Sequence, residues 1–111
     1  MARWDAWAAR IAAVHDGAPA ALAGDAHLTA LVVEIEEMAG LPASAEDGGH
    51  REALRLQRLR AALSEGRRES DDDRLQRLLD TWSEKGRNSD TTQRSRFARA
   101  FSVLRDRARQ A

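Results

Sequence analysis

The sequence predicts an all-α fold: a single domain of four to five antiparallel amphipathic helices with short loops, as in a helical bundle. Apolar residues recur at spacings of three and four along most of the chain, which is typical of helices with one buried face. Alanine, leucine, arginine and glutamate dominate, tyrosine is absent and β-branched residues are few, a composition that favours helix over sheet. A length of 111 residues fits one such domain.

The first helix is predicted from Trp4, Trp7, Ile11 and Val14, whose spacing places them on one narrow face, and Gly17 is expected to end it. Two tryptophans on one face also suit a platform for stacked bases or an anchor for a partner. We expect the simpler role, that of core residues packed on the next helix. Residues 1–24 are therefore an N-terminal helix followed by a connector in which a short helical turn has room to form.

A helix hairpin is predicted over residues 25–65. The apolar stripe of its first helix consists of Leu28, Leu31, Val32, Ile35 and Met38. Asp25 is the expected N-cap, because its carboxylate can accept bonds from the first unpaired backbone N–H groups. Gly40 fits the left-handed position that commonly closes a helix, and Pro42 cannot continue one.

The second helix of this hairpin carries Leu56, Leu59 and Leu63 as its predicted apolar seam. Leu54 points away from the seam and is interpreted either as incidental or as a partner contact. Gly66 is expected to end the helix.

The start of that second helix is less well defined in the sequence. Ser44, followed three residues later by Asp47, resembles a capping box. Gly48 and Gly49 argue against a firm first turn, since each glycine costs roughly 1 kcal/mol relative to alanine in a helix.

A second hairpin, similar to a helical repeat, is predicted over residues 70–110. The apolar faces of its two helices are Leu75, Leu78, Leu79 and Trp82, and then Phe97, Phe101, Leu104 and Ala108. Gly86 is expected to close the first helix near Lys85, and Asp90 or Ser89 to cap the second.

Ser70 and the aspartates at 71–73 invite two interpretations. Three consecutive carboxylates suit a hard cation, but a calcium loop needs spaced acids, a central glycine and a distal glutamate, which are missing. A serine N-cap followed by acids in the first turn suits the helix dipole. We therefore expect a capped helix start and no metal site.

The predicted core follows from these faces. It contains Trp7, Ile11, Leu31, Ile35, Leu59, Leu78, Trp82, Phe97 and Phe101.

The charge is distributed unevenly although the net charge is zero. Residues 1–50 carry two basic residues against eight acids, and residues 51–111 carry sixteen against ten, so the halves have charges of −6 and +6. All basic residues except Lys85 are arginine, a bias that high genomic GC content can produce. The asymmetry fits acidic helices packed beside basic ones, and it also fits self-association.

No catalytic, cofactor-binding or metal site is predicted. The three histidines are scattered, cysteine is absent and no nucleophile elbow, phosphate loop or zinc motif occurs. Glu34, Glu36 and Glu37 are interpreted as a solvated acidic face in preference to a paired-carboxylate acid/base site. No small-molecule substrate is inferred. With no signal-peptide pattern and no apolar run near the roughly 20 residues of a membrane span, we expect a cytoplasmic protein without membrane contact.

The last helix is rich in arginine, with six arginines and one acid between Thr91 and Ala111. Arg94, Arg105 and Arg109 lie off its apolar seam and are the candidate contacts to a partner or to nucleic-acid phosphates. A solvated face, or pairing with the acidic first half, explains the same pattern. No base-reading motif accompanies these arginines, so any nucleic-acid binding should be insensitive to sequence.

Two blocks resemble a known family. The first runs from Leu31 through Gly40-Leu41-Pro42 to Leu59, and the second combines Leu75, Leu78, Trp82 and Gly86 with Arg96-Phe97 and Ala100. Together they are similar, over residues 28–110, to bacterial helical-repeat proteins with the domain of unknown function 349. The chain departs from the family pattern at Val32, Ser44 and Gln93. The resemblance implies a helical fold, a short member or the C-terminal part of a longer protein, and no catalytic residue or cofactor.

These observations favour a non-catalytic helical module that binds other proteins or itself. The alternative is weak, sequence-non-specific binding of RNA or other nucleic acid through the arginine-rich last helix.

Overall fold

The computed structural model describes residues 2–19, 24–42, 48–65 and 69–110. These residues form five α-helices, and a 3₁₀ turn at Gly86–Asn88 joins the last two. The helices are α1 (Ala2–Asp16), α2 (Ala26–Met38), α3 (Gly48–Glu65), α4 (Asp71–Lys85) and α5 (Thr91–Gln110). The all-α prediction is confirmed. The predicted turn in the 17–25 connector, the Ser44–Asp47 capping box and the Gly66 stop lie outside the described residues, wholly or in part.

The ends of α2 are fixed as the sequence predicts. Asp25 Oδ1 accepts bonds from the backbone nitrogens of His27, at 2.7 Å, and Leu28, at 3.4 Å. At the other end Gly40 has φ of +72°, and the N–H groups of Gly40 and Leu41 bond to carbonyls of the last turn. This is a Schellman motif, which glycine favours because it has no Cβ to strain the left-handed backbone.

The helix starts of the second half are also capped. Ser70 Oγ accepts a 3.1 Å bond from Asp73 N, so the capping interpretation of this segment is confirmed. Asp90 Oδ1 accepts from Gln93 N at 2.7 Å, and Gln93 Oε1 accepts from Asp90 N at 3.0 Å. This reciprocal capping box settles the choice between Ser89 and Asp90 in favour of Asp90.

Four of the helices form two pairs in which the partners lie side by side and run in the same direction, α1 with α4 and α2 with α5. Arg3 bonds to Asp72 and Arg10 to Asp80, so α1 and α4 run in the same direction. The α2 and α5 starts meet where Gln93 Nε2 donates to Asp25 O at 2.9 Å. The two pairs run in opposite directions, because residues near the start of α4 contact residues near the end of α2. Helix α2 contacts α3, α4 and α5, and α1 packs mainly against α4 and α5.

The core joins α1, α2, α4 and α5 in one apolar cluster. At its centre the rings of Trp82 and Phe97 stack with centroids 4.1 Å apart. Gly86 at the end of α4 has no room for a side chain, since a Cβ there would lie 2.8 Å from the Trp82 ring. Trp4 and Trp7 are buried, and Trp4 packs against Phe101 of α5, so they are core residues. Helix α1 as a whole contacts α4, the 3₁₀ turn and α5 more than α2, the partner that the sequence predicts.

The core prediction is wrong at Leu59. Leu56, Leu59 and Leu63 of α3 are exposed by 48%, 53% and 77%, whereas the other eight predicted core residues are buried. The first turn of α3 also differs from expectation, since the helix already begins at Gly48.

None of the helices in the described ranges is long and apolar enough to cross a membrane.

Candidate protein-interaction surface

Helix α2 carries three glutamates, Glu34, Glu36 and Glu37, which we call the glutamate cluster, and the last two bond to α3. Residues 31–36 of α2 are all buried, so a carboxylate among them needs a charged partner. Glu34 and Glu36 are only 7% and 8% exposed. The interpretation of these residues as a solvated acidic face is therefore wrong for Glu34 and Glu36.

Glu36 connects three helices. Its Oε1 accepts a 3.1 Å bond from Arg51 Nη2 of α3, and its Oε2 accepts a 3.1 Å bond from Arg96 Nε of α5. The Arg51 side chain is only 5% exposed and also donates to Pro42 O at 3.4 Å. A buried guanidinium held in this way fixes the start of α3 against α2.

The other two carboxylates complete the cluster. Glu34 Oε1 accepts from Arg74 Nε at 3.1 Å and from Arg77 Nη2 at 2.7 Å, which ties α2 to α4. Glu37 bonds to Arg58, which lies two turns further along α3 than Arg51. Hydrogen bonds from Arg77 to Glu69 and Glu34 raise the pKa of Arg77 above its ordinary value. Each carboxylate of the glutamate cluster therefore bonds to at least one arginine.

These bonds decide which face of α3 is buried. Arg51, Leu54, Arg58 and Ala62 recur at spacings of three and four, and this side of α3 is buried or half-buried. Leu56, Leu59 and Leu63 lie about a third of a turn around the helix from that side and face solvent. Arg51 and Arg58 occupy the side of α3 that faces α2, and Leu56, Leu59 and Leu63 lie outside it. We call Leu56, Leu59 and Leu63 the leucine face.

The three arginines predicted as contacts each lie beside an acceptor within the chain. Arg94 donates to the His15 carbonyl at 3.3 Å and to the Asp90 carbonyl at 3.4 Å. Arg109 Nη2 bonds to Asp5 Oδ1 at 3.1 Å. Arg105 is half-buried, with its Nε 4.0 Å from Asp106 Oδ1. A phosphate would have to compete with these intramolecular acceptors.

An apolar cavity lies between α1, α2, α4 and α5. This half-open cavity of about 200 Å³ is lined mainly by Trp4, Met38, Leu75 and Leu104, with Asp71, Asp72 and Arg74. It is smaller than the roughly 300–1,000 Å³ of typical small-molecule sites. Within the part of the chain that the structure describes, no group of three or more histidine or acidic side chains is placed to hold a metal ion.

Sequence reasoning missed the leucine face because two stripes on α3 compete. The arginine stripe could have been recognised from α2, where Glu34 and Glu36 interrupt a run of apolar residues. Acids inside a helix that is apolar all round indicate buried ion pairs and predict basic partners nearby.

Comparison of the chain with protein-family models, curated proteins and solved structures finds no match. Membership of the helical-repeat family therefore stays a prediction from the sequence.

Proposed function

We propose that this chain is a non-catalytic protein-interaction module and that the leucine face of α3 is its docking surface. The observation that supports the proposal is the exposure of Leu56, Leu59 and Leu63 in one row, at 48%, 53% and 77%. A row of exposed large apolar side chains is unfavourable in water unless a partner covers it. Burying one such side chain gains roughly 1.5–3 kcal/mol.

The attachment of α3 favours the same function. The ion pairs of Arg51 and Arg58 with the glutamate cluster hold the helix on α2 and leave Leu56, Leu59 and Leu63 unused. The leucine face is thus presented on a positioned helix, which lowers the conformational cost of binding. The resemblance to helical-repeat proteins agrees with an interaction role.

Affinity capture from a lysate of the source cell tests this function. The bait is the whole chain, compared with Leu59→Asp and with the matched control Gln57→Asp, which adds the same charge to an exposed position off the leucine face. We expect proteins that wild type and Gln57→Asp retain and that Leu59→Asp loses. Circular dichroism of all three should be equal, since both positions are exposed. Identical captured proteins for the three baits would contradict the proposal.

A further inference from the structure

The leucine face has the spacing of a coiled-coil seam. Leu56, Leu59 and Leu63 are separated by three and four residues, so they occupy successive a, d and a positions of a heptad pattern. A seam of this width is covered by one further amphipathic helix.

The residues that flank the seam are basic. Arg55 and Arg60 fall on the two sides of the leucine face, at the g and e positions. The Arg55 side chain is 68% exposed, with its Nε 4.0 Å from Glu37 Oε1, and Arg60 is exposed. Glu52 occupies the next d position, at the N-terminal end of the seam. The charge pattern along the face is therefore acid, then two arginines.

A second copy of this chain does not complement that pattern. Parallel pairing of two α3 helices places Arg55 of one copy opposite Arg60 of the other and brings the two Glu52 side chains together. Antiparallel pairing in the register that matches Leu56 with Leu59 places Glu52 against Leu63 and leaves both arginines opposite alanines.

We propose that the leucine face binds an amphipathic helix of another protein, with a leucine-, isoleucine- or methionine-rich seam flanked by aspartate or glutamate facing Arg55 and Arg60. This partner class rests on the docking function proposed above. The apolar seam supplies the affinity, and the acidic flanks supply orientation and discrimination.

Two synthetic helical peptides, each as long as α3, test the partner class. Both have the same leucine seam, one with glutamate and the other with lysine at the flanking positions, and binding to the whole chain is followed by fluorescence anisotropy. We expect the glutamate peptide to bind roughly fivefold more tightly at about 50 mM salt, with a smaller difference at high salt. Leu59→Asp should weaken binding about tenfold or more.

Charge reversal separates the partner class from the docking function. Arg55→Glu with Arg60→Glu should reverse the preference toward the lysine peptide, whereas Arg99→Glu, at an exposed position of α5, should not. Equal binding of both peptides, lost in Leu59→Asp, would overturn the acidic partner while leaving the docking function intact. Binding of neither peptide, together with a Leu59-dependent capture from lysate, would do the same.

Light scattering after size exclusion tests whether a second copy of this chain covers the leucine face. We expect a monomer at low and at high salt. A dimer that Leu59→Asp dissociates would show that a second copy covers the leucine face, and it would overturn the proposal.

Discussion

Glu36 accepts bonds from Arg51 of α3 and Arg96 of α5 in a site that is largely closed to water. Replacement by glutamine leaves the buried Arg51 guanidinium without a countercharge. Removing one partner of a buried pair typically costs about 3–5 kcal/mol, and we expect a loss of that size in Glu36→Gln. Urea unfolding measures it, with Glu84→Gln on the exposed side of α4 as the control, expected to change stability by less than about 0.5 kcal/mol. Equal effects of the two substitutions would contradict the buried cluster.

His15 makes stability depend on pH. Trp82 Nε1 donates a 3.1 Å bond to His15 Nε2, which therefore accepts as a neutral imidazole. Burial, assisted by the positive charge of Arg94, lowers the pKa of His15 from its ordinary value of 6.5, and Asp16 opposes this shift. Because the unfolded chain binds the proton more readily, the stability from neutral His15 is complete above pH 6.5 and is lost as pH falls toward the lower folded-state pKa.

The corresponding measurement is urea unfolding of wild type and His15→Gln at several pH values between about 7.5 and 5, a range above most carboxylate titrations. The wild-type free energy of unfolding should decrease with falling pH more steeply than that of His15→Gln. Parallel profiles for the two proteins would show that His15 is not linked to folding.

Among the helices, we expect truncation of a large side chain to reduce stability strongly on α4 and hardly at all on α3. Trp82 of α4 is completely buried, and Trp82→Ala should cost on the order of 3–5 kcal/mol, most of a small domain's stability. Leu59→Ala on α3 should change the free energy of unfolding by less than about 0.5 kcal/mol, because this side chain already faces solvent. Thermal unfolding followed by circular dichroism distinguishes them. An unchanged melting temperature in Trp82→Ala would refute the core assignment.

The sequence was sufficient to predict the helices that combine one apolar stripe with clear end signals. Helix α4 extends from Asp71 to Lys85, as Ser70, the Leu75–Trp82 face and Gly86 predict. The exposed face of α3 could not be predicted from α3 alone, because its leucine and arginine stripes both have helical spacing. The side of α3 that is buried depends on α2, whose carboxylates bind the guanidinium groups of Arg51 and Arg58. This contact joins residues of two helices and cannot be inferred from α3 alone.

The role of Gln93 at the start of α5 also could not be predicted from the sequence of its own helix. In the sequence it is a departure from an apolar position of the family pattern. In the fold its amide is buried, bonds to Asp90 N and reaches Asp25 O and Thr29 Oγ1 at the start of α2. These acceptors come from a helix some sixty residues away in sequence, so local spacing could not identify them.

Across the whole molecule, the acidic first half and the basic second half meet within one chain. The glutamate cluster binds arginines of α3, α4 and α5, and Asp5 of α1 binds Arg109 of α5. Acids of the first half of the sequence therefore form ion pairs with arginines of the second half, between helices of the same chain.

Nucleic-acid binding through Arg94, Arg105 and Arg109 stays a prediction from the sequence. Intramolecular acceptors contact Arg94 and Arg109, and the zero net charge gives no long-range attraction to phosphates. We expect labelled single-stranded and structured RNA to show no anisotropy change at about 50 mM salt, where non-specific binding is tightest. Binding that Arg105→Glu with Arg109→Glu abolishes would instead assign α5 as a nucleic-acid surface.

Helix α3 turns Arg51 and Arg58 toward α2 and the leucine face toward solvent. The chain has no cysteine, so single-cysteine variants report one position each in thiol labelling of the folded protein. The labelling rate of each folded variant is divided by the labelling rate of the same variant unfolded in urea, which gives its protection by the fold. We expect Leu59→Cys to react nearly as fast in the folded as in the unfolded protein, Leu54→Cys to react more slowly, and Leu78→Cys to be protected about a hundredfold or more. Protection of Leu59→Cys equal to that of Leu78→Cys, or faster labelling of Leu54→Cys than of Leu59→Cys, would contradict this orientation of α3.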